Sequence, residues 1–146
     1  MLRLELIAAE RLRTGPLLEV WEDYLKRLTW PFALHEIHAP DARQLELKMA
    51  EKIRDDAFVI VLDERGKSLS SRDFAAKLEQ LQNDGPEYVQ FVIGAADGVP
   101  AAIKKRANFL LSFGVQTWPH MMARIMLIEQ VYRARQILDG HPYHRD

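Results

Sequence analysis

The groups best suited to moving protons and meeting anions gather at the C-terminal end of the chain. His120 opens a helical stretch, Arg124, Arg133 and Arg135 follow along it, and His141, Tyr143, His144 and Arg145 lie beyond its end. Histidine titrates near working pH, and the arginine fork matches phosphate and carboxylate oxygens. Residues 101–146 hold seven Lys/Arg against three Asp/Glu, whereas residues 1–100 hold thirteen against eighteen. With a net charge of −1, the basic character is therefore local. That argues against indiscriminate polyanion binding but suits docking through one patch.

Metal and thiol chemistry find little support. Cysteine is absent, which excludes disulfides, thiolate metal sites and a cysteine nucleophile. His141 and His144 are suitably spaced, but no third ligand accompanies them. His35 and His38 fall on a stretch with strand alternation, where they face opposite sides. No metal site is expected.

Three further stretches stand out because each follows an apolar run: Leu62–Lys67, Gly94–Gly98 and Phe113–Trp118. The second is bracketed by glycines, so its backbone can approach a ligand closely or take positive φ. It matches neither the dinucleotide fingerprint nor a Walker loop. The third, Phe113, Gly114, Val115, Gln116, Thr117 and Trp118, offers backbone donors and acceptors between apolar walls, a suitable seat for a flat base. Plain turns are the alternative reading of both loops.

The elements that must position these groups follow from periodicity. Strands are predicted over Leu2–Ala9, Phe32–His38, Ala57–Leu62 and Tyr88–Ile93, with a fifth in Leu110–Thr117 together with its loop. Helices are predicted from Pro16 through Leu28, from an Asp41 cap to about Arg54, from a Ser70 or Ser71 cap through Leu81, and from Pro100 to about Asn108. The last helix starts with Pro119 in its first turn and stops at Asp139-Gly140. Asp63–Lys67 reads as a polar turn. This βα alternation implies a mainly parallel sheet flanked by helices, in one α/β domain over residues 1–146. Glu5 and Glu10 interrupt the apolar N-terminal run, so neither a signal peptide nor a membrane span is expected, and cytoplasm is the default. Met121, Met122, Ile125, Met126, Leu127, Ile128 and Val131 make the last helix apolar around most of its circumference. That excess predicts a homodimer.

The segment Thr117–Asp146, TWPHMMARIMLIEQVYRARQILDGHPYHRD, resembles the C-terminal signature of the ribosomal RNA large subunit methyltransferase H family of the SPOUT superfamily. The likeness extends along the chain, through Tyr24-Leu25-Lys26-Arg27, Leu62–Lys67 and Ser70-Ser71 with Phe74-Ala75. It implies a C-terminal trefoil knot in roughly residues 88–146 and a homodimer with its active site near the subunit interface. It implies S-adenosylmethionine held by Leu62, Gly94 and Phe113, Gly114, Val115, Gln116, Thr117 and Trp118, the three strand ends already singled out. The substrate it implies is a pseudouridine in 23S ribosomal RNA, methylated at N3 on the assembled ribosome. Tyr143 and His144 would position the base and accept its proton, while Arg133 and Arg145 hold phosphate or a uracil carbonyl. One departure is Ala95, where the family has a second glycine; if that position needs φ > 0, alanine costs about 1 kcal/mol or more.

Two rival readings share the same rhythm. A receiver or flavodoxin-like module would place Asp63 at a phospho-acceptor position, but the acidic pair after strand one and the lysine after strand five are missing. A non-catalytic RNA- or ribosome-binding dimer would account for the altered glycine loop.

Overall fold

The computed structural model describes residues 2–146. Five strands, β1 (Arg3–Ala9), β2 (Phe32–Ile37), β3 (Phe58–Ser68), β4 (Tyr88–Ile93) and β5 (Phe109–Ser112), alternate with five helices. These are α1 (Pro16–Arg27), α2 (Ala42–Lys52), α3 (Ser71–Asp84), α4 (Ala101–Arg106) and α5 (His120–Leu138). All strand pairs are parallel, in the order β2-β1-β4-β3-β5. A flavodoxin-like or receiver sheet runs 2-1-3-4-5. Here β4 lies between β1 and β3, so that rival reading is overturned by topology.

Alternation along the strands divides the core. Leu4, Leu6, Ala8 and Phe91 face Trp21, Phe74, Leu78, Leu127 and Val131, which come from α1, α3 and α5. Ile7, Ala9, Val59, Val61 and Val92 face Met49 and Ile103, from α2 and α4. Burial on both faces explains why the central strands read as continuous apolar runs.

Local caps match their chemistry. Asp41 accepts the Gln44 N–H at 2.8 Å and Ser70, rather than Ser71, accepts the Asp73 N–H at 3.0 Å. Pro119 is the N-cap of α5 and not a residue of its first turn. Lacking an N–H, proline loses nothing at that edge of the helix.

The largest departure from expectation is β3. The polar run Asp63–Lys67 continues the strand instead of closing a turn, because Leu62 and Lys67 both pair with Leu111 across a register shift. The residues between them bulge outward, with the Asp63 carboxylate accepting the Arg65 N–H at 3.0 Å. Gly66 makes the return possible: a Cβ there would lie 2.5 Å from the Leu110 carbonyl oxygen.

Candidate active site

The carboxyl ends of β3, β4 and β5 enclose a cleft of about 470 Å³. Leu62, Gly94, Phe113, Gly114, Gln116, Thr117 and Trp118 line it together, so seven of the eight expected cofactor residues meet. Val115 is not among the lining residues and is 91% exposed. The β5–α5 loop holds its shape through Ser112. That hydroxyl accepts the Gly114 N–H at 3.0 Å and lies 2.9 and 3.1 Å from the carbonyls of Gly114 and Glu64. Thr117 donates to Glu64 at 3.0 Å, and the Trp118 indole donates to the Phe113 carbonyl at 3.3 Å.

The glycine loop after β4 closes on itself, with the Gly98 N–H donating to the Ala95 carbonyl at 2.8 Å. Gly98 carries the positive φ, 86°, while Ala95 does not, so alanine at that position is unstrained. The concern raised by the departure from the family pattern is thereby removed. Gly94 is required for a different reason: a Cβ there would collide with the Gly98 backbone.

The cleft wall also holds an ion pair, Asp63 with Lys104, at 3.1 Å. The Arg65 amide, opposed by burial and helped by Lys104, holds the Asp63 carboxyl below its ordinary range. Nothing in the sequence marks that pair, whose members lie far apart along the chain. His120 borders the same cleft with its Nε2 3.4 Å from Glu10 and its buried Nδ1 without a partner among the described residues.

The tail forms a separate cluster. Tyr143 packs edge-on against Tyr132 at 4.9 Å between ring centres and donates weakly to Glu129 at 3.4 Å. Arg133 pairs with Glu129 at 2.6 Å and its Nη1 lies 3.0 Å from His144 Nδ1. Asp146 then joins His144 Nε2, at 2.9 Å, to Arg72, at 2.8 Å. Because a guanidinium can only donate, His144 Nδ1 is the acceptor and Nε2 carries the proton toward Asp146. Burial, the nearby Tyr24 hydroxyl and the Glu129 carboxylate push the Tyr143 phenol well above its usual range. Glu129 likewise holds Arg133 firmly charged.

Three of the four expected catalytic residues, Arg133, Tyr143 and His144, therefore meet, while Arg145 is exposed and apart from their hydrogen-bond network. Glu129, which ties them together, was readable only through its i, i+4 spacing from Arg133. None of the four lines the cleft of their own chain. Arg124 is a correction: it does not present a free cation but is 1% exposed, bound to Glu36 at 2.6 Å and to the Glu10 carbonyl at 3.1 Å. Arg135 is bound to Asp139 at 3.1 Å.

A second, apolar groove of about 600 Å³ joins the two regions. Leu111, Phe113 and Gly114 line both groove and cleft, and Tyr24 and Glu129 of the tail cluster border the groove's far side. Met122, Ile125 and Met126 of α5 face it, so part of the apolar excess of that helix stays uncovered within one chain. Among the described residues, no cluster of three or more His, Asp or Glu is arranged to hold a metal ion, and no helix is long and apolar enough to cross a membrane.

The fold is similar to that of several solved chains described as methylases or methyltransferases. A probable methylase family protein from Haemophilus influenzae superposes with a TM-score of 0.60 at 13% identity, over 100% of this chain and 72% of that one. The SpoU methyltransferase AviRb from Streptomyces viridochromogenes, in complex with AdoMet, gives 0.52 at 13% identity, over 91% and 58%. A family profile described as "Predicted SPOUT methyltransferase" matches residues 2–144. The ribosomal RNA large subunit methyltransferase H of Rhodospirillum centenum is 43% identical over 99% of both chains, and that of Erythrobacter litoralis 44% identical over 97% of both. The chain belongs to the ribosomal RNA large subunit methyltransferase H family of SPOUT methyltransferases.

Proposed function

We propose that this chain transfers a methyl group from S-adenosylmethionine to N3 of a pseudouridine in the 23S RNA of the assembled large ribosomal subunit. Full-length similarity to relatives named for ribosomal RNA methylation supports the reaction, and the cleft supports the cofactor. The observation that carries the reading is the convergence of the expected cofactor residues on one cleft of about 470 Å³, a size suited to a nucleoside. Its wall sets the apolar Leu62, Ile93 and Phe113 beside the charged Asp63, Glu64, Arg65 and Lys104, and the unpartnered His120 Nδ1 supplies a further polar contact.

S-adenosylmethionine bound there supplies a methyl group activated on a sulfonium. Leu62, Gly94 and the run Phe113–Trp118 would hold it. The remaining work belongs to the chain: bring N3 into line, exclude water and take away the imide proton. Tyr143, held neutral, donates a hydrogen bond to the base instead of taking its proton. His144 is the proton acceptor once Arg133 turns from Nδ1 to the substrate, and Asp146 steadies the resulting imidazolium. Arg133 and Arg145 hold phosphate or the carbonyl on which charge grows.

The separation of tail and cleft supports a composite site in a homodimer. A second copy seated over Met122, Ile125 and Met126 would bring its tail to the wall that groove and cleft share. We further infer a trefoil knot in roughly residues 88–146 of a single domain spanning 1–146, and a cytoplasmic setting beside the ribosome. The non-catalytic alternative loses its motive, since the glycine loop is unstrained at Ala95.

Purified protein incubated with ribosomes and S-adenosylmethionine, followed by mass-spectrometric mapping of the RNA, tests the assignment. A methyl on N3 of a 23S pseudouridine is expected; a methyl elsewhere, or none, would overturn it.

A further inference from the structure

The loop between β1 and α1 is held far more firmly than a surface turn requires. Arg124, 1% exposed, reaches across from α5 to the carbonyls of Ala9, at 3.4 Å, and Glu10, at 3.1 Å. Its Nη1 pairs with Glu36 at 2.6 Å, the same Glu36 oxygen accepts the Leu12 N–H at 2.7 Å, and Nε has no partner among the described residues. Burying a guanidinium is costly unless it is well paired. Here the buried cation is used to fasten a short segment of backbone.

Glu10 begins that segment with φ of 69°, a left-handed conformation rare outside glycine. Such strain persists where surrounding contacts over-determine it, commonly at functional sites. The turn tucks Leu12 into the core, 6% exposed, and leaves Arg11 and Arg13 on either side of it exposed. Neither arginine takes part in an ion pair among the described residues. The loop also touches the cleft, because Glu10 lies 3.4 Å from His120, which lines it. An adjoining hollow, bordered by Glu10 and sharing Ala95, Asp97, Gly98 and Val99 with the cleft, carries Asp41, Glu46 and Asp97 against a single Arg43. That hollow would repel a polyanion.

We propose that Arg11 and Arg13 form a rigid fork that grips phosphates of the substrate RNA at the edge of the cofactor cleft. The proposal rests on the methyltransferase reading and adds to it the surface by which RNA is registered. Two cations set by a fixed backbone act on position, with little dependence on sequence. Losing two phosphate contacts weakens binding about tenfold at moderate salt and flattens its dependence on salt.

The test compares wild-type protein with the doublets Arg11→Ala/Arg13→Ala and Arg11→Lys/Arg13→Lys. Methyl transfer to ribosomes is measured between about 50 and 200 mM salt, and S-adenosylmethionine binding is measured by calorimetry. The alanine doublet should raise KM for ribosomes about tenfold, with a slope against log salt shallower by about 1.5. Its kcat and cofactor affinity should stay unchanged, and the lysine doublet should recover most of the KM. An unchanged KM and slope would overturn the fork. So would a loss of cofactor affinity, which would make the loop a support of the cleft. Filter binding of 23S RNA to the same three proteins reads the fork without turnover. A wild-type chain that binds RNA with this arginine dependence yet transfers no methyl would refute the enzyme reading and leave the fork standing. RNA binding indifferent to both doublets would refute the fork alone.

Discussion

Glu5 shows how much a single carboxylate can organise when water is excluded. It is 5% exposed in the interior strand β1, yet it receives Gln90 at 2.7 Å and Arg54 at 3.1 Å, with His35 at 3.5 Å. Burial alone would raise its pKa, but the hydrogen bonds from Arg54 and Gln90 outweigh it and hold the carboxyl below its ordinary 4.5. A depressed folded-state pKa means that the stabilisation is complete above the unfolded value and disappears as pH falls through the folded one. Glu5→Gln should therefore lose about 1–3 kcal/mol at pH 7, the size of charge-assisted hydrogen bonds lost from a buried site. The deficit should shrink at a pH well below the ordinary 4.5, as wild-type Glu5 passes through its lowered pKa and becomes protonated. Urea unfolding at both pH values checks this, and an equal deficit at both would contradict it. None of this network is visible from composition, because Glu5 and Gln90 stand on two different strands and Arg54 on the loop after α2.

The elements that shape the cleft were readable to different degrees. The five strands and five helices follow from periodicity and caps, and the three strand ends declared themselves as apolar runs opening into a charged, a glycine-bounded and a mostly small or apolar stretch. The course of β3 past Leu62 did not, since four charged residues and a glycine carry the pattern of a turn and only the pairing of Lys67 with Leu111 makes them strand. Nor could the sequence tell which glycine of the loop after β4 carries the positive φ. That difference decides a prediction. Gly94→Val forces a side chain into the backbone of Gly98, so the loop must shift as a unit. Overpacking of this kind costs about 1–3 kcal/mol. Calorimetry should find S-adenosylmethionine affinity lowered at least about tenfold, the equivalent of roughly 1.4 kcal/mol, with the folded circular-dichroism signature retained. Undiminished affinity would locate the cofactor elsewhere.

At the scale of the whole molecule, the central fact is a distance within one chain. The cleft lies at the start of α5, bordered by His120, whereas Arg133, Tyr143 and His144 assemble around the far half of that helix. The sequence named both sets, yet it carries no signal for their separation, because residues on one helix look adjacent until its axis is drawn. At 1.5 Å per residue, the thirteen positions from His120 to Arg133 span about 20 Å. A two-fold partner closes that gap without moving either cluster, and the uncovered groove along Met122, Ile125 and Met126 provides a seat for it. Mixing two defective variants, one truncated before His141 and the other carrying Gly94→Val, at a cofactor concentration too low for the Gly94→Val cleft to fill, measures this directly. If one subunit's tail completes its partner's cleft, each mixed dimer has one intact site, and methyl transfer to ribosomes should recover to about a quarter of wild type. A mixture in which mixed dimers form but no activity returns would mean that tail and cleft must come from the same chain, contradicting the composite site.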